Sequence, residues 1–289
     1  MTDVALVQVP YMLGDESHGS AAGPAKYLEG GARELLRAKG LGVTVERVER
    51  RGRAAFRDAL AASLAVNLEL AEVVRRAIAV QRLPLVLAGS CDASLGILAG
   101  FDHARCGVVW IDAHADFNTP ESSVSGFFPG MSAAVIAGHC HRGLWAEIGD
   151  ATPVAEVAML MLGVRELAPE AERERLDRSA VRVVSWRGSR PEDDVEAALH
   201  DLAGLVEDVY LHVDNDSFDP EVAPGIVDEL VPGGLTLDQM EEIVRGVTSR
   251  FRIRAAALTT FTPARDEGDR TLLAGLRVLE LLGDYAASR

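Results

Sequence analysis

The segment "CGVVWIDAHADFN" (residues 106–118) runs from an unbroken apolar stretch into three polar side chains spaced two residues apart. The apolar stretch is typical of a buried strand, and alternate residues of an extended chain point to the same side. Asp112, His114 and Asp116 therefore converge at the end of that strand. Carboxylates and imidazoles are common metal ligands, and the apolar stretch argues against the alternative, a solvated face. The spacing predicts a metal-binding cluster.

Seven further apolar runs of strand length alternate with longer amphipathic stretches along the chain. No Ser- or Pro-rich linker divides the sequence, so we expect one domain over residues 1–289. The alternation predicts an α/β fold, with an eight-stranded mainly parallel sheet covered by helices on both faces. The predicted strands are residues 4–10, 42–48, 83–89, 106–112, 157–164, 180–186, 208–214 and 253–261. The predicted helices are residues 24–39, 53–80, 93–101, 130–138, 169–178, 191–206, 236–249 and 268–287.

The composition excludes several classes of partner. A formal net charge of −15 argues against nucleic acid, which requires a basic surface. No apolar run approaches the roughly 20 residues that span a bilayer, so we expect no membrane partner. The opening "MTDVALVQVP" has no cationic start, which argues against a signal peptide. The three cysteines, Cys91, Cys106 and Cys140, form no spaced disulfide framework, so we expect a cytoplasmic protein.

A second acidic cluster follows another predicted strand. In "HVDNDSFDP" (residues 212–220), Asp214 and Asp216 repeat the two-residue spacing. Functional side chains of parallel sheets collect beyond the carboxyl ends of the strands, so both clusters should meet there. Four crowded carboxylates repel one another unless cations lie between them, and two divalent ions about 3.5–4 Å apart would neutralise them. Oxygen ligands with a single imidazole favour Mn²⁺, and we expect two ions per chain.

The two motifs "DAHADFN" (112–118) and "DNDSFDP" (214–220) resemble those of the arginase, agmatinase and formiminoglutamase family, the ureohydrolases. The resemblance extends to "VPYMLGDESHGSAAGP" (9–24), "LAGSCDASLG" (87–96) and "LGVRELAPEAE" (162–172). It implies a three-layer αβα fold and a two-manganese site. It also implies hydrolysis of a linear, non-peptide C–N bond in a guanidino or amidino substrate, and a homo-oligomer, either a trimer or a hexamer.

Roles for individual residues follow from this resemblance. Asp112, Asp116 and Asp214 correspond to ligands of the more buried ion or to bridges between the two ions. His114 and Asp216 correspond to ligands of the second ion. Asn118 and Ser125 fall where family members hold the polar end of the substrate. The implied mechanism is attack by a metal-bridging hydroxide, from which Asp116 accepts a hydrogen bond.

Four positions depart from the family pattern. Cys91 stands where the first metal-binding histidine is expected, which predicts a thiolate ligand and makes another divalent ion compatible with the site. Cys91 could instead be a small buried apolar residue, with Asp92 as the ligand if the motif shifts by one position. Pro129 replaces a proton-shuttling histidine and cannot transfer protons, so His18 is our candidate substitute.

The other two departures concern substrate recognition. Thr260 replaces a glutamate that binds the guanidinium, and a neutral hydroxyl forms weaker hydrogen bonds than a carboxylate. Ala168 replaces the aspartate that binds the α-amino group, although Glu166 remains nearby. These changes argue against ordinary L-arginine and favour an N-hydroxyguanidino substrate. The alternatives are a catalytically impaired relative that binds metal and a small ligand or partner, and a one-metal enzyme with Cys91 as nucleophile.

Overall fold

A nine-stranded sheet forms the centre of the protein, for which a computed structural model describes residues 2–50, 58–149, 152–226 and 230–289. The strands are β1 (Val4–Val9), β2 (Val43–Arg47), β3 (Leu83–Ala88), β4 (Cys106–Ile111), β5 (Met159–Val164), β6 (Arg182–Arg187), β7 (Arg190–Pro191), β8 (Asp208–Asp214) and β9 (Arg252–Thr259). Their order is β2-β1-β3-β9-β8-β4-β5-β6-β7. Eight strands are parallel, and the two-residue β7 pairs antiparallel with β6. The predicted fold class is confirmed, with one short strand more than expected.

Helices cover both faces of this sheet and form the outer two layers. They are α1 (Gly23–Glu29), α2 (Ala32–Ala38), α3 (Ala59–Ala79), α4 (Ala93–Ala99), α5 (Ser132–Ile136), α6 (Arg142–Ile148), α7 (Glu170–Arg178), α8 (Val195–Ala203), α9 (Leu237–Arg250) and α10 (Arg270–Ser288). Leu85 and Ile111 pack on one face with α1, α2 and α8 to α10. Their chain neighbours Val86 and Trp110 pack on the other face with α3 to α7. Within the described ranges, no helix is long and apolar enough to cross a membrane.

Three inner strands, β3, β4 and β5, are buried at every position, which explains their unbroken apolar runs. All residues of β3, β4 and β5 are buried because helices cover both faces of a parallel sheet. The four neighbours β3, β9, β8 and β4 lie at the middle of the sheet. The loops that follow these four strands therefore meet at one edge, where the sequence places its two acidic clusters.

Several predicted helices differ from the observed ones. The predicted helix 24–39 is two helices, because Gly31 adopts a left-handed conformation (φ 93°) between α1 and α2. The predicted helix 191–206 begins only at Val195, because Asp194 caps it and residues 190–191 pair with β6. Helix α6 was not predicted. The predicted start of the helix 53–80 falls partly outside the described residues, and α3 begins after Asp58, which accepts a hydrogen bond from the Leu60 amide.

Arg165, just after β5, connects the loop after β5 to the loop after β8. Its guanidinium donates to the backbone carbonyls of Asp216 (2.6 Å), Ser217 (3.1 Å), Phe218 (3.1 Å) and Val231 (3.1 Å). These hydrogen bonds fix the backbone of Asp216, one of the predicted metal ligands. Arg165 is therefore a structural support of the site.

Replacing Arg165 with Met should lower the free energy of unfolding by about 2–4 kcal/mol, because four partly buried carbonyls lose a charged donor. Arg173→Met is the matched control, since Arg173 is exposed and pairs only at 3.7 Å with exposed Glu170. Its effect should stay within about 0.5 kcal/mol. Urea unfolding of both variants measures the difference, and equal losses would contradict the supporting role of Arg165.

Candidate metal centre and active site

Two groups of potential metal ligands lie at the carboxyl ends of the central strands. In the inner group, one ligand atom from each of four buried residues lies within 4.8 Å of all the others: Cys91, Asp112, His212 and Asp214. The outer group meets the same criterion with Asp112, His114 and Asp216. Asp112 belongs to both groups, so the two sets of ligands adjoin each other.

Short loops and strand ends position these side chains. In the inner group, the Cys91 thiol, which follows β3, donates to Asp214 Oδ2 at the end of β8 (3.1 Å). In the outer group, His114 Nδ1 lies 3.1 Å from Asp216 Oδ2 and 3.3 Å from Asp112 Oδ1. The Ala113 amide donates to the other oxygen of Asp216 (3.1 Å), which holds that carboxylate toward the cluster.

Asp116 lies beside the two groups in an unusual conformation. Its φ of 48° is left-handed, and its carbonyl accepts from the Ala133 and Ala134 amides at the start of α5. Its Oδ2 atom is buried and has no hydrogen-bond partner among the described residues. A buried carboxylate oxygen without a partner is costly, and a cation would satisfy it.

The electrostatics of the cluster show a deficit of positive charge. Burial together with Asp216 raises the pKa of Asp112 to about 7. Burial and the neighbouring carboxylates raise the pKa of Asp116 and of Asp214 well above the ordinary value. Against the effect of burial, His114 lowers the pKa of Asp216 to about 2, and Asp216 raises that of His114. Several of these carboxyls therefore require either a proton or a cation at neutral pH.

The residues present fit divalent ions. Three aspartates, a histidine at the surface of the cluster, a buried histidine and a thiol offer oxygen, nitrogen and sulfur donors at short mutual range. The unpartnered Oδ2 of Asp116 offers one more donor atom. All six predicted metal ligands lie in or beside the two groups: Cys91, Asp112, His114, Asp116, Asp214 and Asp216. Their coordination of ions stays a prediction.

A cavity of about 540 Å³ opens next to the outer group. His114 and Asp116 line it, so the cavity and the candidate metal centre share two residues. The remaining lining residues are Asn118, Ser123, Val124, Ser125, Phe127, Gly130, Glu166, Ala168, Pro169 and Glu172. A small molecule in this cavity would reach the candidate metal centre.

Three predicted substrate-binding residues line this cavity. Asn118 accepts a hydrogen bond from the Ser122 hydroxyl (2.9 Å), which orients its amide. The Ser125 hydroxyl accepts from the Phe127 amide (3.2 Å). Glu166 Oε2 lies 3.4 Å from His114 Nε2. The structure thus brings these residues to one cavity with the candidate metal centre.

Two predicted residues lie elsewhere. His18 caps a short 3-10 helix, where its ring accepts from the Ser20 amide, and it is not among the residues that line the cavity. His18 is therefore no longer our candidate for the missing acid. The Thr260 hydroxyl donates to Asp214 Oδ1 instead of facing the cavity. Its hydrogen serves a predicted metal ligand and is not available to hold a substrate.

The alternative register of the Cys91 motif receives no support from the geometry. Asp92 is buried away from both ligand groups, where it accepts from the Ser63 hydroxyl and the Asn67 amide of α3. Cys91, by contrast, lies within the inner group. The ungapped register of the motif therefore agrees with the structure.

Two residues of the site were missed from the sequence. His212 belongs to the inner group, and Glu172 lines the cavity while it accepts from the Phe117 amide (2.9 Å). A signal for His212 was present, because it precedes Asp214 and Asp216 at the same two-residue spacing. It was missed because a histidine within an apolar run looks like a core residue of the strand.

Comparison with known proteins identifies the family. A model of the arginase family matches residues 2–283. The chain belongs to the arginase family. It is 29% identical to the arginase of Bacillus caldovelox over 94% of each chain. It is 28% identical to the N(omega)-hydroxy-L-arginine amidinohydrolase of Streptomyces lavendulae, over 75% of this chain and 76% of that protein.

The solved structures agree with this arginase-family assignment. The structure of Bacillus caldovelox arginase superposes with a TM-score of 0.87 at 27% identity, and the match covers 99% of this chain and 98% of that one. The family and fold class predicted from the sequence are confirmed. Members of this family hydrolyse C–N bonds of linear amidines, and this chain is a hydrolase of that class.

In the metal-free protein, raising the pH from about 5 to about 8 should lower the free energy of unfolding. The folded-state pKa of Asp112, about 7, exceeds the ordinary value of 3.8, so the folded protein holds a proton that the unfolded chain has lost. Asp116 and Asp214 act in the same direction. The raised pKa of His114 also lowers stability as the pH rises. The stabilisation that His114 provides is complete below its pKa in the unfolded chain and is lost as the pH rises through its pKa in the folded protein.

The depressed pKa of Asp216 affects stability only below the ordinary carboxyl range, outside this window. Thermal unfolding at both pH values, with and without added Mn²⁺, measures the effect. Mn²⁺ should stabilise the protein more at the higher pH, because there it replaces fewer bound protons. A stability that rises with pH in the metal-free protein would contradict this account.

Proposed function

We propose that this chain hydrolyses an N-hydroxyguanidino compound at a centre of two divalent ions, Mn²⁺ among them, held by the inner and outer groups. The observation that carries the proposal is the cavity, which His114 and Asp116 share with the candidate metal centre. A substrate in the cavity would place its reacting carbon next to the ions. The proposal refines the hydrolase class that the family assigns.

The charge of the cavity supports a cationic substrate. Asp116, Glu166 and Glu172 line it, and no lysine or arginine is among its lining residues. The hydrogen bond from His114 lowers the pKa of Glu166, which therefore stays ionised at neutral pH. A planar guanidinium or amidinium group forms paired, charge-assisted hydrogen bonds to such carboxylates. We therefore assign Glu166 to binding of the cationic end of the substrate.

The other cavity residues have separate roles. Bound divalent ions would supply a water of lowered pKa and would stabilise negative charge that develops on the substrate. Asp116, which lines the cavity, would accept a hydrogen bond from that water. Asn118 and Ser125 would hold the polar end of the substrate, which is the end far from the reacting carbon. Glu172, which lines the cavity and whose pKa burial raises, would return a proton to the leaving nitrogen.

Two departures from the family favour the N-hydroxy substrate. Pro129 is buried and carries no titratable group, and the Thr260 hydroxyl is engaged with Asp214. Neither residue supplies the proton transfer or the carboxylate that the family's pattern implies. An N-hydroxyl group withdraws electrons and lowers the basicity of the guanidine nitrogens. The nitrogen that leaves therefore needs less help from protonation. The Streptomyces lavendulae relative, whose name describes hydrolysis of N(omega)-hydroxy-L-arginine, supports the same substrate class.

Turnover of N-hydroxy-L-arginine, L-arginine and agmatine by the Mn²⁺-loaded protein tests this proposal. We expect kcat/KM for the N-hydroxy compound to exceed that for L-arginine by about 100-fold or more, equivalent to roughly 3 kcal/mol of transition-state discrimination. The control is Mn²⁺ in buffer without protein. Faster turnover of L-arginine would refute the N-hydroxy assignment, and no product above the control would favour a metal-binding relative without activity.

Glu166→Gln tests the assigned cation-binding carboxylate. The change should reduce kcat/KM by about 10- to 100-fold, mainly through a higher KM, because it removes a charged hydrogen-bond acceptor. Glu170→Gln is the matched control four residues further along the chain, at the start of α7, since Glu170 is exposed and lies outside the cavity lining. It should keep wild-type kinetics. If both variants behaved alike, Glu166 would have no role in substrate binding.

A further inference from the structure

The inner and outer groups differ in chemical character. The inner group combines a thiol, an imidazole and two carboxylates, all from buried residues. The outer group has two carboxylates and one imidazole, and its His114 reaches the cavity. Thiolate and imidazole ligands favour softer ions such as Zn²⁺ and Co²⁺, whereas carboxylates favour Mn²⁺ or Mg²⁺. The inner group therefore suits a softer divalent ion, and the outer group suits Mn²⁺ or Mg²⁺.

His212 is held in the orientation that a metal ligand requires. Its Nδ1 lies 3.1 Å from the Ser94 hydroxyl and 3.1 Å from the Tyr210 hydroxyl. The Trp110 indole stacks on the ring at 3.6 Å with an interplanar angle of 9°. One ring nitrogen anchored by a neighbouring polar group is the usual arrangement around a metal-bound histidine. The anchored Nδ1 leaves Nε2 as the ligand atom.

The Nε2 side of the ring faces the other inner ligands. Nε2 lies 3.3 Å from the Thr259 hydroxyl, which donates to Asp214 Oδ2 (2.9 Å) and lies 3.8 Å from Cys91 Sγ. Trp110 also donates to Asp112 Oδ2 (3.0 Å), so a single indole positions two members of the group. Nε2 therefore faces the atoms around Asp214 and Cys91.

We propose that Cys91 and His212 make the inner group a thiolate–imidazole site selective for a zinc-like ion, while the outer group takes Mn²⁺. In this arrangement His212 supplies, from β8, an imidazole to a site that has cysteine at the position of the family's first histidine. Binding releases the Cys91 thiol proton to solvent as the sulfur–metal bond forms. The buried, unpartnered Oδ2 of Asp116, next to both groups, independently indicates that cations belong there. The inference rests on the proposed metal centre but not on the proposed substrate.

Titration of the metal-free, full-length protein with Co²⁺ tests this site without an activity assay. A Co²⁺–thiolate bond produces an intense near-ultraviolet charge-transfer band, and we expect it to saturate at one ion per chain. Cys91→Ser should abolish the band. Cys106→Ser and Cys140→Ser are the matched controls and should keep it, because neither cysteine belongs to a ligand group. A band lost in Cys140→Ser, or absent from wild type with Co²⁺ bound, would overturn the proposal.

His212→Gln separates a ligand from a packing residue. We expect the charge-transfer band to remain, the visible cobalt bands to shift and the Co²⁺ affinity to fall by about 100-fold. Unchanged visible bands and affinity in a variant with wild-type circular dichroism would refute His212 as a ligand. Metal analysis after dialysis against equimolar Zn²⁺ and Mn²⁺ should give one of each per chain, and Cys91→His should shift the ratio toward Mn²⁺. Two Mn²⁺ in wild type would refute the selectivity.

These outcomes are distinguishable from a failure of the proposed substrate. A cobalt–thiolate band without turnover of any guanidino compound would support the inner site and contradict the proposed function. Turnover of N-hydroxy-L-arginine with no cobalt–thiolate band would support the proposed function and contradict the inner site.

Discussion

Mutual repulsion among buried carboxylates is the constraint on which the site depends. The parallel sheet brings the ends of β4 and β8 together, so Asp112, Asp214 and Asp216 are concentrated where water cannot screen them. His114 offsets only part of this charge, as the opposite pKa shifts of Asp112 and Asp216 show. The fixed geometry of the cluster would make a strong site for cations, which would supply the missing positive charge.

The supporting structure around the cluster follows from this requirement. Backbone amides, the Trp110 indole and the hydroxyls of Thr259 and Thr260 donate to the carboxylates. These donors orient the carboxylates of Asp112, Asp214 and Asp216 before any ion binds. Arg165 performs a related task on the backbone, where it holds the loop that carries Asp216. A preorganised set of ligands of this kind loses little conformational freedom on binding.

Much of the fold could be predicted from the sequence, because its determinants are local. Unbroken apolar runs gave the buried strands β3, β4 and β5 to within two residues, since strands covered on both faces tolerate few polar side chains. The two-residue spacing likewise predicted that Asp112 and His114 would point to the same side, and the rule for parallel strands predicted that Asp216 would join them. The break at Gly31 and the late start of α8 depend on backbone conformation and strand pairing, which periodicity does not report.

The parts of the site that were missed or wrongly assigned depend on contacts that the sequence pattern does not report. His18 lies in a motif typical of the family, yet its own loop uses it as a cap. Thr260 occupies the expected position in the sequence, but its hydroxyl reaches Asp214. His212 looked like a core residue because only the assembled sheet shows that it stacks on Trp110 beside Cys91. For Thr260 and His212, the decisive neighbours lie far away along the chain, where no local pattern reports them. For His18, the decisive contact is a local hydrogen bond with Ser20.

The sharing of Asp112 by the two groups has a consequence for how the centre assembles. In the proposed two-ion centre, an ion at either position would orient this carboxylate for the other, so occupancy of one position would change the affinity of the second. The inner residues are all buried and the outer group reaches the cavity, so an ion that enters through the cavity would pass the outer position first. The inner ion would then have to arrive first and depart last. An ion at the outer position would slow the release of the inner one.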